Sequence, residues 1–121
     1  MADELTERII GAAMEVHRIL GPGLLESIYE EALCYEFELR GIAYERQVPV
    51  ETVFKGRMIK GQRVDLLVEK EVIVETKSQS RLPDTVLPQL LSYLNAAKLK
   101  RGLIINFGLP RLIDGIKRVS V

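Results

Sequence analysis

Two short apolar runs with charges at their ends constrain this chain more than any other feature. They lie between Arg63 and Ser80, in RVDLLVEKEVIVETKSQS. Leu66-Leu67-Val68 and Val72-Ile73-Val74 read as strands of a sheet core, which are apolar without interruption when both faces are covered. Asp65 stands before the first run, and Glu75 and Lys77 stand after the second. Charges at such positions are costly unless they are paired or bind something.

How the two runs pair decides whether those charges meet. A two-residue loop at Glu69-Lys70 would set residue 68 against 71 and 65 against 74, sending Asp65 to the face opposite Glu75. A three-residue loop, Glu69-Lys70-Glu71, sets 68 against 72 and 65 against 75, because a one-residue slip moves every side chain to the other face; a bulge would serve as well. Glu75 and Lys77, two apart on one strand, share a face in either case. With the longer loop, two carboxylates converge beside one ammonium. Two hard oxygen donors suit Mg²⁺, which takes one or two carboxylates and fills its other positions with water and phosphate oxygens. The plain alternative is an acid–lysine ion pair at a strand end, since D…E-x-K is short and common.

The rest of the chain supplies a frame for such a site. Leu5, Ile9, Ala12, Ala13, Val16 and Leu20 recur at three- and four-residue steps, predicting a helix over 4–20 that the Gly21-Pro22-Gly23 turn stops. A second helix is predicted over 24–40, with Gly41 as its C-terminal cap. From residue 42 the period changes to two, giving strands in AYERQVPVETVF and RMIKGQRVDLLV around a turn at Lys55-Gly56. A third strand covers 72–77. LPDTVLPQLLSYLNAAK returns to helical spacing, with Pro88 tolerable in a first turn capped by Asp84 or Thr85. GLIINF (102–107) reads as a buried strand, and LPRLIDGIKRVSV as a last short helix. The predicted order is α-α-β-β-β-α-β-α. A helix between two strands implies a mixed sheet with helices on its faces, so an α/β fold.

With 121 residues the chain is read as one domain, 1–121. No apolar run approaches the ~20 residues of a membrane span, and MADELTERII has acids where a signal peptide needs a basic region. A cytoplasmic protein without a membrane association is expected. Lys plus Arg and Asp plus Glu number 17 each, which argues against coating nucleic acid through a general basic field. Two local basic groups are left as candidates: Lys55, Arg57, Lys60 and Arg63 around one hairpin, and Lys98, Lys100 and Arg101 after a helix. Each is read first as solvated surface. Cys34 is the single cysteine and His17 the single histidine, so no thiolate zinc cluster or His–His metal pair can be built. Cys34 is expected to be a buried structural thiol, and His17 to brace the following turn. Gly21 and Gly23 follow no strand and give no dinucleotide fingerprint.

Asp65, nine residues, then Glu75-Thr76-Lys77 resembles the Asp…(Asp/Glu)-x-Lys signature of the PD-(D/E)XK nuclease superfamily. GPGLLESIYEEAL contains Gly23-x-x-Glu26-x-x-Tyr29, the motif for which the GxxExxY family is named. EVHRILGPG, RVDLLVEKEVIVETK, QLLSYL, GLIINFG and LIDGIKRV resemble that family's blocks in the same order, from Leu5 to Val119. The resemblance implies a restriction-endonuclease-like fold with a mixed central sheet flanked by helices. It also implies that Glu26 joins Asp65 and Glu75 at a Mg²⁺ or Mn²⁺ site, that Lys77 serves the chemistry, and that Gln89 in PQLLSYL contributes a polar group. Family members often carry a histidine three residues before that glutamine, where this chain has Val86.

The leading expectation is therefore a divalent-metal-dependent nuclease-like protein acting on phosphodiester bonds in DNA or RNA. The rivals are a nucleic-acid-binding module with little catalysis and a non-enzymatic interaction protein, such as a homo-oligomer, with an inherited acidic cluster. Glu26 could instead simply favour the positive end of its helix. Tyr29 and Tyr93 are read first as half-buried tyrosines with polar tips.

Overall fold

The computed structural model describes residues 3–121. Its helices are α1 (Glu4–Leu20), α2 (Glu26–Arg40) and α3 (Val86–Ala97), and its strands are β1 (Tyr44–Phe54), β2 (Arg57–Val68), β3 (Val72–Lys77), β4 (Arg101–Asn106) and β5 (Ile116–Ser120). The strands form one sheet in sequence order. Only β3 and β4 run parallel, joined by the crossover that contains α3.

Two cores lie on opposite faces of the sheet. Ile9, Ala13 and Val16 of α1 and Leu33 and Phe37 of α2 pack on Leu66, Val74, Leu103 and Ile105. Val86, Leu90 and Leu94 of α3 pack on Val50, Val64, Ile73 and Ile104. This explains the unbroken apolar runs: Val72 and Val74 point to the first core and Ile73 to the second. Each fully buried aliphatic side chain contributes about 1.5–3 kcal/mol, so the central strands hold the molecule together.

Local signals explain the element ends. Asp3 caps α1 by accepting from the Thr6 N–H at 2.8 Å. Gly41 closes α2 in the left-handed conformation. Lys55 and Gly56, both at positive φ, make the two-residue turn between β1 and β2. Thr85 stands at the cap position of α3, but its side chain makes no capping bond. Pro88 falls in the first turn, where its missing N–H has no helical partner.

The predicted final helix is corrected. Only one 3₁₀ turn forms, Leu112–Gly115, and the chain then enters β5, antiparallel to β4. Ile116 packs on the first core and Val119 in the second. Residues three apart in a strand face opposite ways, so the spacing that suggested a helix also fits a strand buried at two points. Gly115 lets the chain turn there, since an added Cβ would lie 2.3 Å from the Asn106 carbonyl oxygen.

Candidate active site

The Glu69-Lys70-Glu71 loop has three residues. Val68 pairs with Val72, Leu67 with Ile73 and Leu66 with Val74. The next step places Asp65 beside Glu75, where the Asp65 N–H reaches Glu75 Oε1 at 3.3 Å. The register required for the two carboxylates to meet is therefore the one observed.

The strands part at this point. Asp65 Oδ2 accepts from the Thr76 N–H at 2.9 Å and from the Thr76 hydroxyl at 3.1 Å. On the other side, Gln47 of β1 stands at the step opposite Asp65, between the pairs Arg46↔Leu66 and Val48↔Val64, with φ of 51°. Side-chain alternation slips here. Leu66 and Val68 belong to the core under α1 and α2, whereas Val64 and Val48 pack with the core under α3. An unbroken strand would put Val64 and Leu66 on one face. Left-handed backbone at a non-glycine costs roughly 1–2 kcal/mol. It is held by the Gln47 amide, which donates to both oxygens of Glu30 at 3.2 and 3.3 Å. Glu30 is buried and also accepts from Arg46 Nη2 at 2.8 Å.

Glu75 is only 6% exposed. Burial above all, and then the Asp65 charge, push its carboxyl up to about 8, while Lys77 acts the other way. Lys77, half-buried on the same face, makes no ion pair within 4.0 Å among the described residues. The simple strand-end ion-pair reading is thus not what the side chains adopt.

Glu26 is the first residue of α2 and is exposed. Partial desolvation of its carboxyl raises its pKa, the Lys77 charge opposes the rise, and Asp65 and Glu30 add to it. Its placement follows from a chain of contacts. Tyr29, fully buried and stacked on Phe107 with ring centroids 4.6 Å apart, donates its hydroxyl to the Gly21 carbonyl and accepts from the Leu24 N–H. Ser78, next to Lys77, donates to the Leu24 carbonyl at 2.6 Å. The turn before α2 is thereby fastened to the end of β3. Tyr29 is accordingly a structural residue, and more deeply buried than expected.

Gln89 is exposed on α3. Tyr93, one turn on, is buried; burial and the charges of Glu75 and Asp65 raise its pKa, and Gln89 pulls it down. His17 Nε2 lies 2.9 Å from the Leu109 carbonyl oxygen, so its ring braces the loop after β4 instead of the glycine turn. Cys34 is buried, and burial pushes its thiol up to about 11.

Several residues at the site were not found from the sequence. Thr76 lay hidden as the middle of Glu75-Thr76-Lys77. Asn106 is a buried polar residue ending an apolar strand, and that was a readable signal. Its side chain accepts from Gln79 N at 3.0 Å and donates to Gln79 O at 2.8 Å, clamping the loop after Lys77. Gln47 gave no signal, because glutamine does not announce a positive φ.

The site is an open strand end. An apolar recess of about 370 Å³, lined by Val48, Val50, Val64 and Leu99 among others, contains none of these groups. No helix is long and apolar enough to cross a membrane among the described residues.

The family model of the PD-(D/E)XK nuclease superfamily matches residues 3–119. The chain belongs to the PD-(D/E)XK nuclease superfamily. A solved structure, "Crystal structure of SSO0001", shares its fold with a TM-score of 0.54 at 21% identity, over 78% of this chain and 48% of that one. The chain thus spans about half the length of that structure. No curated protein matches the chain.

PD-(D/E)XK nucleases generally use divalent metals and act on nucleic acid. The donor chemistry here fits such an ion: two adjoining carboxylates, one of them buried and poor at holding its charge alone. No cluster of three or more His, Cys, Asp or Glu side chains is preassembled to hold a metal among the described residues. Glu26 is therefore not drawn up with Asp65 and Glu75 into a closed cage. Mg²⁺ needs none, since it keeps several waters.

Proposed function

We propose that this PD-(D/E)XK protein hydrolyses phosphodiester bonds in DNA or RNA, in the cytoplasm, using Mg²⁺ or Mn²⁺. The supporting observation is the convergence of Asp65 and Glu75 beside a Lys77 that has no ion-pair partner among the described residues. Asp65 and Glu75 would hold the cation, with Glu26 joining directly or through water. When bound, the cation supplies positive charge against the scissile phosphate and lowers the pKa of a water.

Each side chain then has a separate task. Thr76 fixes one oxygen of Asp65 and so sets the direction of the other. Lys77 Nζ orients the attacking water or stabilises charge building on the phosphate oxygens. Gln89 positions the substrate from α3. The Gly23-x-x-Glu26-x-x-Tyr29 motif supports placing the chain with the GxxExxY proteins, with Tyr29 serving Glu26 by shaping the turn.

The test is to titrate Mg²⁺ and Mn²⁺ into wild type and Asp65→Ala, following heat of binding and cleavage of mixed DNA and RNA in the same samples. Binding and cleavage that both vanish in the variant support the proposal. No binding to folded wild type at millimolar metal would sink it. A second reading, a nucleic-acid-binding module with little catalysis, is favoured by Val86 standing where family members often have histidine. Tight binding of uncleaved nucleic acid in the presence of bound metal would select it.

A further inference from the structure

The β1–β2 hairpin outruns the sheet. β2 spans Arg57–Val68, yet it pairs with β3 only over Leu66–Val68. Val50 and Val64 are the last buried residues before the tip, and every residue from Glu51 to Arg63 is exposed. The hairpin is therefore an arm, and Arg57, eight residues before Asp65, lies on the order of 26 Å from it along the strand.

The arm's composition differs from that of the whole chain. Residues 54–63 read FKGRMIKGQR, with four cations and no acid, in a protein whose formal net charge is zero. Lys55, Arg57, Lys60 and Arg63 form no ion pair among the described residues. Lys55 instead lies 5.6 Å from the Phe54 ring centroid. The other basic candidate is different: Arg101 is tied to Asp3 at 2.8 Å and Glu71 at 3.3 Å. Apolar groups sit among the arm's cations, with Val53 66%, Phe54 62% and Met58 50% exposed.

We infer that this arm binds the sugar–phosphate backbone of nucleic acid, holding it to one side of the Asp65–Glu75 site. The inference rests on the proposed function for its choice of ligand, and on charge for its location. Unpaired cations spread along an extended strand match a polyanion that carries about one charge per 1.7 Å of duplex. Phe54 offers an aromatic face of the kind on which unpaired bases stack. A second copy of this chain fits less well. Symmetric tip-to-tip pairing would set four cations against four. Edge-to-edge pairing through β1 is blunted by Pro49, by the positive φ of Gln47 and by the bulge between Val50 and Thr52.

Fluorescence anisotropy with labelled duplex and single-stranded DNA tests this in chelator, where no metal-dependent cleavage can interfere. The proteins are wild type, the triple variant Arg57→Ala/Lys60→Ala/Arg63→Ala, and Lys98→Ala/Lys100→Ala as control, with melting curves to show that each is folded. The triple variant is expected to bind roughly tenfold or more weakly at about 0.1 M salt. Its log–log salt slope on duplex should be shallower by about 2–3, near 0.9 per lost phosphate contact. Phe54→Ala should weaken single-strand binding roughly fivefold or more, through lost stacking. The control should match wild type. Equal affinity and slope for triple variant and wild type would overturn the inference, as would wild type binding no nucleic acid. So would a wild-type dimer in sedimentation that Phe54→Ala/Met58→Ala dissociates while nucleic-acid affinity stays unchanged. Arm-dependent binding without any cleavage after Mg²⁺ is restored would retain the arm and remove the nuclease proposal, so the two fail separately.

Discussion

Thr76 holds Asp65 by two hydrogen bonds to one carboxylate oxygen, from its main-chain N–H at 2.9 Å and its hydroxyl at 3.1 Å. Thr76 itself is fully buried. One residue thus carries the middle of the Glu75-Thr76-Lys77 run into the core and also aims the partner acid. Thr76→Val keeps the shape and the N–H but deletes the hydroxyl bond. A hydrogen bond to a charged group contributes about 1.5–3 kcal/mol, and the retained N–H softens the loss, so a destabilisation of about 1–2 kcal/mol is expected in urea unfolding. Metal affinity measured by calorimetry should weaken with it. An unchanged affinity would show that Asp65 is aimed by something else.

The raised pKa of Glu75 gives a pH dependence with a definite sign. Its ordinary value is 4.5, and burial followed by the Asp65 charge brings it to about 8 in the folded chain. The folded protein therefore holds this proton more tightly than the unfolded chain does. The resulting stability is fully present below pH 4.5 and is lost as pH rises through about 8. In chelator, the wild-type melting temperature should fall across that interval. Glu75→Gln, which stays neutral, should flatten this part of the curve. Added Mg²⁺ should restore wild-type stability at the alkaline end, because a bound cation favours the ionised carboxylate. Parallel melting curves for the two proteins in chelator would count against a buried, protonated Glu75.

A Lys77 substitution tests the proposed chemistry apart from folding. It has no ion-pair partner among the described residues, and its charge lowers the pKa of both Glu75 and Glu26. Lys77→Met keeps the apolar stem and removes the charge. Stability should change by no more than about 1 kcal/mol, as for replacements that break no buried network. Single-turnover cleavage should fall about a hundredfold or more, the range for losing a positioned proton-transfer or charge-stabilising group. A folded variant that cleaves at the wild-type rate would remove Lys77 from the chemistry.

Much of this site could be read from the sequence because one integer decided it. A three-residue loop at 69–71 aligns Asp65 with Glu75, and a two-residue loop without a bulge does not. The helices α1 and α2 were legible because their apolar residues recur at three- and four-residue steps, and the strand β3 because its apolar run is short and unbroken. The end of the chain was misread for the opposite reason. Leu112, Ile113 and Ile116 suit a helical stripe, and only the tight approach of Gly115 to Asn106 shows why the chain turns into β5. The contacts around Asp65 were illegible because they are long-range. Gln47 meets Glu30 17 residues away, and local propensity carries no trace of it; Asn106 meets Gln79 27 residues away, and a polar residue ending an apolar strand does not name its partner.

Gly108 tests whether the loop after Lys77 matters to the site. A Cβ there would lie 2.4 Å from Gln79 N and 2.6 Å from Gln79 O, and both are backbone atoms that cannot swing aside. The Gly108 N–H also donates to Asn106 Oδ1 at 3.0 Å, the atom that accepts from Gln79 N. Gly108→Ala should therefore push the 78–80 loop off the Asn106 clamp and destabilise by about 1–3 kcal/mol, as overpacking does. Gly11→Ala is the matched control. It sits within α1, where the nearest atom to a new Cβ is the mobile Nη1 of Arg40 at 3.3 Å. Alanine in a helix interior should gain about 0.5–1 kcal/mol over glycine. Because Ser78 fastens this loop to the turn before Glu26, Gly108→Ala should also lower cleavage in protein still folded at low temperature. A Gly108→Ala protein as stable and as active as wild type would show that the close approach to Gln79 relaxes freely, and that the clamp does not position Lys77.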